Sequence, residues 1–132
     1  IMGNYPLIEV SFILSGAEDI SKTITDDMQI TPSKVRTPSS FKNKAMSHME
    51  WEISTGKQHG YRIDTLFDTL GTVIGEKTDL INEVKAKYGL DSAFIVVLHY
   101  ENGDAPEITL SPNNISLANK LNSEISFDIY CY

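Results

Sequence analysis

Three stretches of this chain alternate apolar and polar residues so regularly that a sheet with one buried face is the arrangement that accommodates them. In the first, Ile8, Val10, Phe12 and Leu14 share one side while Glu9 and Ser11 take the other. Met49, Trp51 and Ile53 then alternate with Glu50 and Glu52, and near the end Ile125, Phe127, Ile129 and Cys131 alternate with Ser126, Asp128, Tyr130 and Tyr132. A fourth stretch, Phe94 to Tyr100, is almost continuously apolar and rich in β-branched residues. That pattern predicts a central strand buried on most of both faces.

Between these stretches the period changes to that of a helix. Ile63, Leu66, Phe67, Leu70 and Ile74 fall on one helical face, and after Gly75 a second helix runs from Thr78 to Tyr88 with Gly89 as its terminating residue. A short helix is expected over Ala17–Thr25, followed by extended chain from Met28 to Val35, where Pro32 forbids a helix interior. Ser111-Pro112 opens a helix with Ile115, Ala118 and Leu121 inward, preceded by a short strand at Glu107–Leu110 and the turn dipeptide Asn102-Gly103. The fold class is therefore α+β: one domain over residues 1–132, with a mostly antiparallel sheet of five to six strands and helices packed on one face. The segment Asp19–Val35 echoes Asn114–Tyr130, since an Ile-Ser pair begins a short helix and a strand follows in each. A duplicated ferredoxin-like half is one explanation of that echo.

Composition narrows the partner. With 18 acidic against 11 basic residues the chain carries a net charge of -7, which disfavours nucleic acid or an anionic membrane. No apolar run is long enough to span a bilayer, and no basic segment precedes the first apolar stretch as a signal peptide requires. Gly3 follows Met2, but Leu7 stands where a myristoylation signal needs Ser or Thr. A single cysteine, Cys131, leaves no internal disulfide, and an inert packed thiol is expected on its apolar face. A cytoplasmic protein is the expectation.

If helices cover the apolar side of the sheet, the other side displays Glu9, Glu50, Glu52, His99, Asp128, Tyr130 and Tyr132, with Ser11 and Ser126 among them. Such a face is either plain solvated surface or a docking surface in which tyrosines supply rigid contact area and carboxylates select a basic protein partner. Charge is segregated along the chain as well. No acidic residue lies between Met28 and Met49, whereas Lys34, Arg36, Lys42 and Lys44 do, which makes this segment either a loop that binds an anion or a mobile solvated one.

Motifs for chemistry are weak. Gly71–Thr78 reads GTVIGEKT, but Glu76 replaces the second glycine of a phosphate loop and a helix rather than a strand precedes it. His48, His59 and His99 are scattered without metal-ligand spacing, so no metal and no cofactor are expected. His99 with Asp128 is the one pair that suggests a general base, and a small-ligand site or hydrolase around them is the alternative to a binding module. No catalytic residue is assigned.

Several segments together resemble the bacterial family known as domain of unknown function 4279. They are EVSFILSG, DISKTITDDMQITPSK, MEWEIS and, most specifically, the tail LSPNNISLANKLNSEISFDIY. Thr37-Pro38-Ser39-Ser40 departs from the family's habit of a glycine in the basic loop. The resemblance implies a small stand-alone bacterial protein and supplies no reaction, cofactor or catalytic residue. Small acidic bacterial domains of this type sometimes act as immunity proteins, and a non-enzymatic protein-binding module is the expected function.

Overall fold

The first alternating stretch forms β1 (Leu7–Gly16), and the sheet is built outward from it on both sides. The computed structural model describes residues 4–132; the reading of Met2 and Gly3 lies outside them. Along the chain follow α1 (Ser21–Met28), β2 (Lys34–Arg36), β3 (Met49–Ser54), β4 (Gln58–His59), α2 (Ile63–Ile74), α3 (Thr78–Tyr88), β5 (Asp91–Tyr100), α4 (Pro112–Lys120) and β6 (Glu124–Cys131). The open sheet has the order β2-β3-β1-β5-β6, with β4 pairing the start of β1 beyond the end of β3. Pairing is antiparallel except between β5 and β6, which run parallel because α4 carries the chain back before β6 begins.

Register explains the layering. Phe12 lies opposite Ile53 and Phe94, and Val10 opposite Val96, so the apolar sides of three strands coincide on one plane. Ile8, Val10, Phe12, Leu14, Met49, Trp51, Phe94, Val96 and Leu98 are all fully buried there under the helices. Full burial of each such side chain stabilises the fold by roughly 1.5–3 kcal/mol, enough to hold the helices to this side. Phe67 of α2 packs at a tilt 5.3 Å from Phe94, which lies 5.1 Å from Phe12, a row of rings tying helix to sheet. Trp51 is a core residue as its alternation implied, and its indole Nε1 donates to Thr25 Oγ1 at 3.0 Å.

Two lysines fasten the helical layer. Lys77 Nζ donates to the carbonyls of Met28 and Gln29 at the end of α1, and Lys85 Nζ to that of Leu121 at the end of α4. Each places a cation where unpaired carbonyls concentrate negative potential. Partial burial lowers the Lys85 pKa.

Several local expectations are corrected. The first helix lies at Ser21–Met28 instead of Ala17–Thr25, because Asp19 Oδ1 accepts from the Ser21 hydroxyl at 2.8 Å and Met28 completes the buried stripe with Ile24. Of the Met28–Val35 segment only Lys34 and Val35 are strand, and Met28 belongs to α1. Glu107–Leu110 is no strand; it contributes an isolated bridge between Arg62 and Glu107. Asn102-Gly103 does turn the chain, both with positive φ, but it leads away from the sheet instead of into a hairpin. The two strand-helix-strand segments also pair differently: β6 adjoins β5 directly, whereas β3 separates β2 from β1.

The stripe of α4 is shifted too. Asn114, Leu117, Ala118 and Leu121 are buried while Ile115 is exposed. Asn114 takes the inward place because its Nδ2 donates to Asp64 Oδ1 at 2.8 Å and Asp68 Oδ1 at 2.9 Å, joining α4 to α2. Asp64 Oδ1 also accepts from the Ser111 backbone N–H at 2.9 Å, and these bonds lower the Asp64 pKa below its ordinary 3.8. Replacing Asn114→Ala should cost about 1–3 kcal/mol in urea unfolding. A depressed carboxylate pKa contributes stability above its unfolded value and loses it as pH falls through the folded value, so acid unfolding of the parent below pH 3.8 should contain a component that is smaller in the variant, which keeps the Ser111 N–H bond to Asp64 and loses that of Asn114.

Candidate functional site

The side of the sheet away from the helices is built from the alternate residues of every long strand. Glu9, Ser11, Ile13 and Ser15 of β1 lie between Glu50, Glu52 and Ser54 of β3 and Asp91, Ala93, Ile95, Val97 and His99 of β5. Beyond β5 stand Glu124, Ser126, Asp128 and Tyr130 of β6, and beyond β3 stand Lys34 and Arg36 of β2. Glu9, Glu50, Glu52, His99, Asp128 and Tyr130, named from alternation, thus share one outer face, and Tyr132 joins them by stacking on His99.

The middle of this face differs from expectation. Leu7, Ile13, Ala93, Ile95 and Val97 form a half-buried apolar strip along β1 and β5, with Ser11 only 6% exposed at its centre. The uninterrupted apolar run of β5 was expected to lie buried on most of both faces; one side is buried and the other forms the strip, because no helix of the described residues crosses it. Ile13 was legible as a member, since it continues the spacing of Glu9 and Ser11.

Carboxylates flank the strip on both sides. Glu9 Oε2 accepts from Ser54 Oγ at 2.6 Å. Burial raises the Glu52 pKa, opposed by the cation of Lys34 and reinforced by the charges of Glu9 and Glu50. At one end of the face Ile13, Ala93 and Ile95 floor a shallow depression of about 690 Å³, rimmed by Glu50, Asp91, Glu124, Asn119 and Asn122. Asp91, Glu124 and the two asparagines were not anticipated, because it takes the turn into β5 for Asp91 and the turn into β6 for the others to bring them to the same end of the sheet.

At the opposite end His99 stacks on Tyr130 with ring centres 4.7 Å apart and on Tyr132 at 6.1 Å, and its Nδ1 lies 3.1 Å from the Tyr132 hydroxyl. Asp128 is in register with Val97, and the bonding partner of the His99 ring is Tyr132, not Asp128. The length of β1 separates His99, opposite Leu7, from the depression beside Ser15.

The basic segment is divided by the fold. Lys34 and Arg36 sit on the outer face across from Glu52 and Glu50, whereas Lys42 and Lys44 lie in the loop beyond, which makes two short 3₁₀ turns. The Arg36 guanidinium lies 3.8 Å over the Phe41 ring, Phe41 packs at a tilt against His48 with ring centres 4.6 Å apart, and His48 Nε2 lies 2.8 Å from Glu50 Oε2. His48 Nδ1 lies 2.7 Å from the Met46 carbonyl, so both ring nitrogens face acceptors and the doubly protonated ring fits. The Glu50 and Met46 bonds raise the His48 pKa above 6.5. This chain of contacts holds the loop against the edge of the face.

Among the described residues no group of three or more His, Cys, Asp or Glu side chains is placed to hold a metal ion, and no helix is long and apolar enough to cross a membrane. Cys131 is exposed, which corrects the expectation of a packed thiol: α4 covers the beginning of β6 and leaves its far end bare.

Residues 6–132 match the family described as a domain of unknown function (DUF4279), and the chain belongs to that family. No curated protein and no solved structure matches it.

An NMR titration should place the His48 pKa above 6.5, with Glu50→Gln returning it toward that value. A raised histidine pKa contributes stability below 6.5 and loses it as pH rises through the folded value, so protease cutting within residues 37–48 should increase over that interval and already be high in Glu50→Gln.

Proposed function

We propose that this chain is a non-enzymatic binding module of a bacterial cytoplasm, of the immunity type, whose outer sheet face captures a basic protein. The observation carrying this reading is the composition of that face: an apolar strip of Ile13, Ile95 and Val97 bordered by Glu9, Glu50, Glu52, Asp91, Glu124 and Asp128, with His99, Tyr130 and Tyr132 at one end. Apolar area with rigid aromatics supplies contact, and surrounding carboxylates steer and select a cationic surface. A lone exposed thiol accords with a reducing compartment.

Tagged protein used as bait in the native host's extract should retain a basic protein, identified by mass spectrometry. Glu9→Gln with Asp128→Asn keeps the hydrogen-bond acceptors while removing two charges. This double variant should associate on the order of tenfold more slowly at low salt, and both proteins should slow as salt rises. Equal capture by parent and variant, with no salt dependence, would remove the outer face from the function.

A further inference from the structure

The two edges of the sheet are unlike. β2 is three residues long, carries Lys34 and Arg36 and lies between Pro32 and Pro38, all features that discourage another strand from pairing. β6 is eight residues long, has neither lysine nor proline, and has no strand beyond it among the described residues. On its helix side Phe127 is 40% and Ile129 51% exposed, apolar residues that the alternation had placed inward with Ile125.

The backbone direction of β6 is fixed by the residue that follows it. Tyr132 N–H donates to the Tyr100 carbonyl at 2.9 Å, and the Tyr132 carbonyl accepts from Asn102 N–H at 3.1 Å, so Tyr132 turns its backbone groups toward the β5 side. Alternation along the strand then aims the N–H and C=O groups of Ile125, Phe127, Ile129 and Cys131 at the open edge.

We propose that β6 pairs antiparallel with β6 of a second copy about a two-fold axis at Phe127. An occupant of this edge must be extended, must bring apolar residues to the helix side at alternate positions, and must set no acid directly opposite Asp128; β6 itself meets all three requirements. Outward-facing residues must pair with outward-facing residues, which leaves two registers near full overlap. One centres on Asp128 and sets two carboxylates against each other at the closest kind of cross-strand approach, which is unfavourable. The other sets Phe127 beside Phe127 of the second copy, Ile125 beside Ile129, and Ser126 beside Asp128. It forms about six backbone hydrogen bonds and covers the bare apolar residues. The guarded β2 edges remain outermost, so assembly closes as a dimer.

In light scattering the purified chain should have about twice its 14.7 kDa mass, and Ile129→Lys should restore the single-chain mass with an unchanged circular dichroism spectrum. In a Cys131→Ser background, mild oxidation should cross-link Phe127→Cys as a dimer and leave Asp128→Cys uncross-linked. Should Phe127→Cys not fold, the double variant Ile125→Cys, Ile129→Cys should cross-link instead. A single-chain mass at the highest soluble concentration would overturn the proposal. So would a dimer that survives Ile129→Lys, or preferential cross-linking at Asp128→Cys. None of these outcomes depends on whether the outer face captures a basic protein.

Discussion

One-sided burial of β1 is the constraint from which the rest of the molecule follows. Its neighbours on both sides place their apolar residues in register with Ile8, Val10, Phe12 and Leu14, so the buried plane is continuous across three strands. Helices must cover that plane, because leaving it wet would forfeit the principal stabilising term of a chain this size. Once they do, no helix among the described residues is left to cover the reverse side. The open outer face is thus a consequence of how the core is made.

The polar contacts between helices serve the same layer. Asn114 reaches two carboxylates of α2, while Lys77 and Lys85 satisfy carbonyls at the ends of α1 and α4. These bonds run between elements that are distant in sequence and stiffen a layer whose apolar contacts alone are not directional. The outer face has a different electrostatic character. Its carboxylates crowd a half-buried strip, and the raised Glu52 pKa records what burial and neighbouring like charge do to such a group. A cation docked there would offset the like-charge repulsion, as Lys34 already does in part.

Much of the architecture is legible in the alternation. Each of the outer-face residues nominated from β1, β3, β5 and β6 lies on the face that period-2 counting gives it, because side-chain direction in a strand is a local property. Where helix boundaries or the inward residues of α4 differ from the hydrophobic pattern, a specific polar contact is responsible. Asp19 starts α1 late, and the Asp64–Asn114–Asp68 cluster turns α4 so that Ile115 faces outward. Polar residues on a buried stripe are invisible to a hydrophobic count until their partners are known.

What the amino-acid order determined alone is therefore sidedness: which residues of each strand share a face, and that one face is apolar and the other rich in carboxylates. What only the tertiary structure decided is adjacency and cover. It set β5 beside β1 to make the apolar strip, brought Asp91 and Glu124 to one end, joined His99 to Tyr132 instead of Asp128, and left Phe127, Ile129 and Cys131 bare. The physical reason is range. Side-chain direction is set by the backbone of the residue itself, whereas cover depends on where a helix from another part of the chain comes to rest, and α4 stops short of the far end of β6.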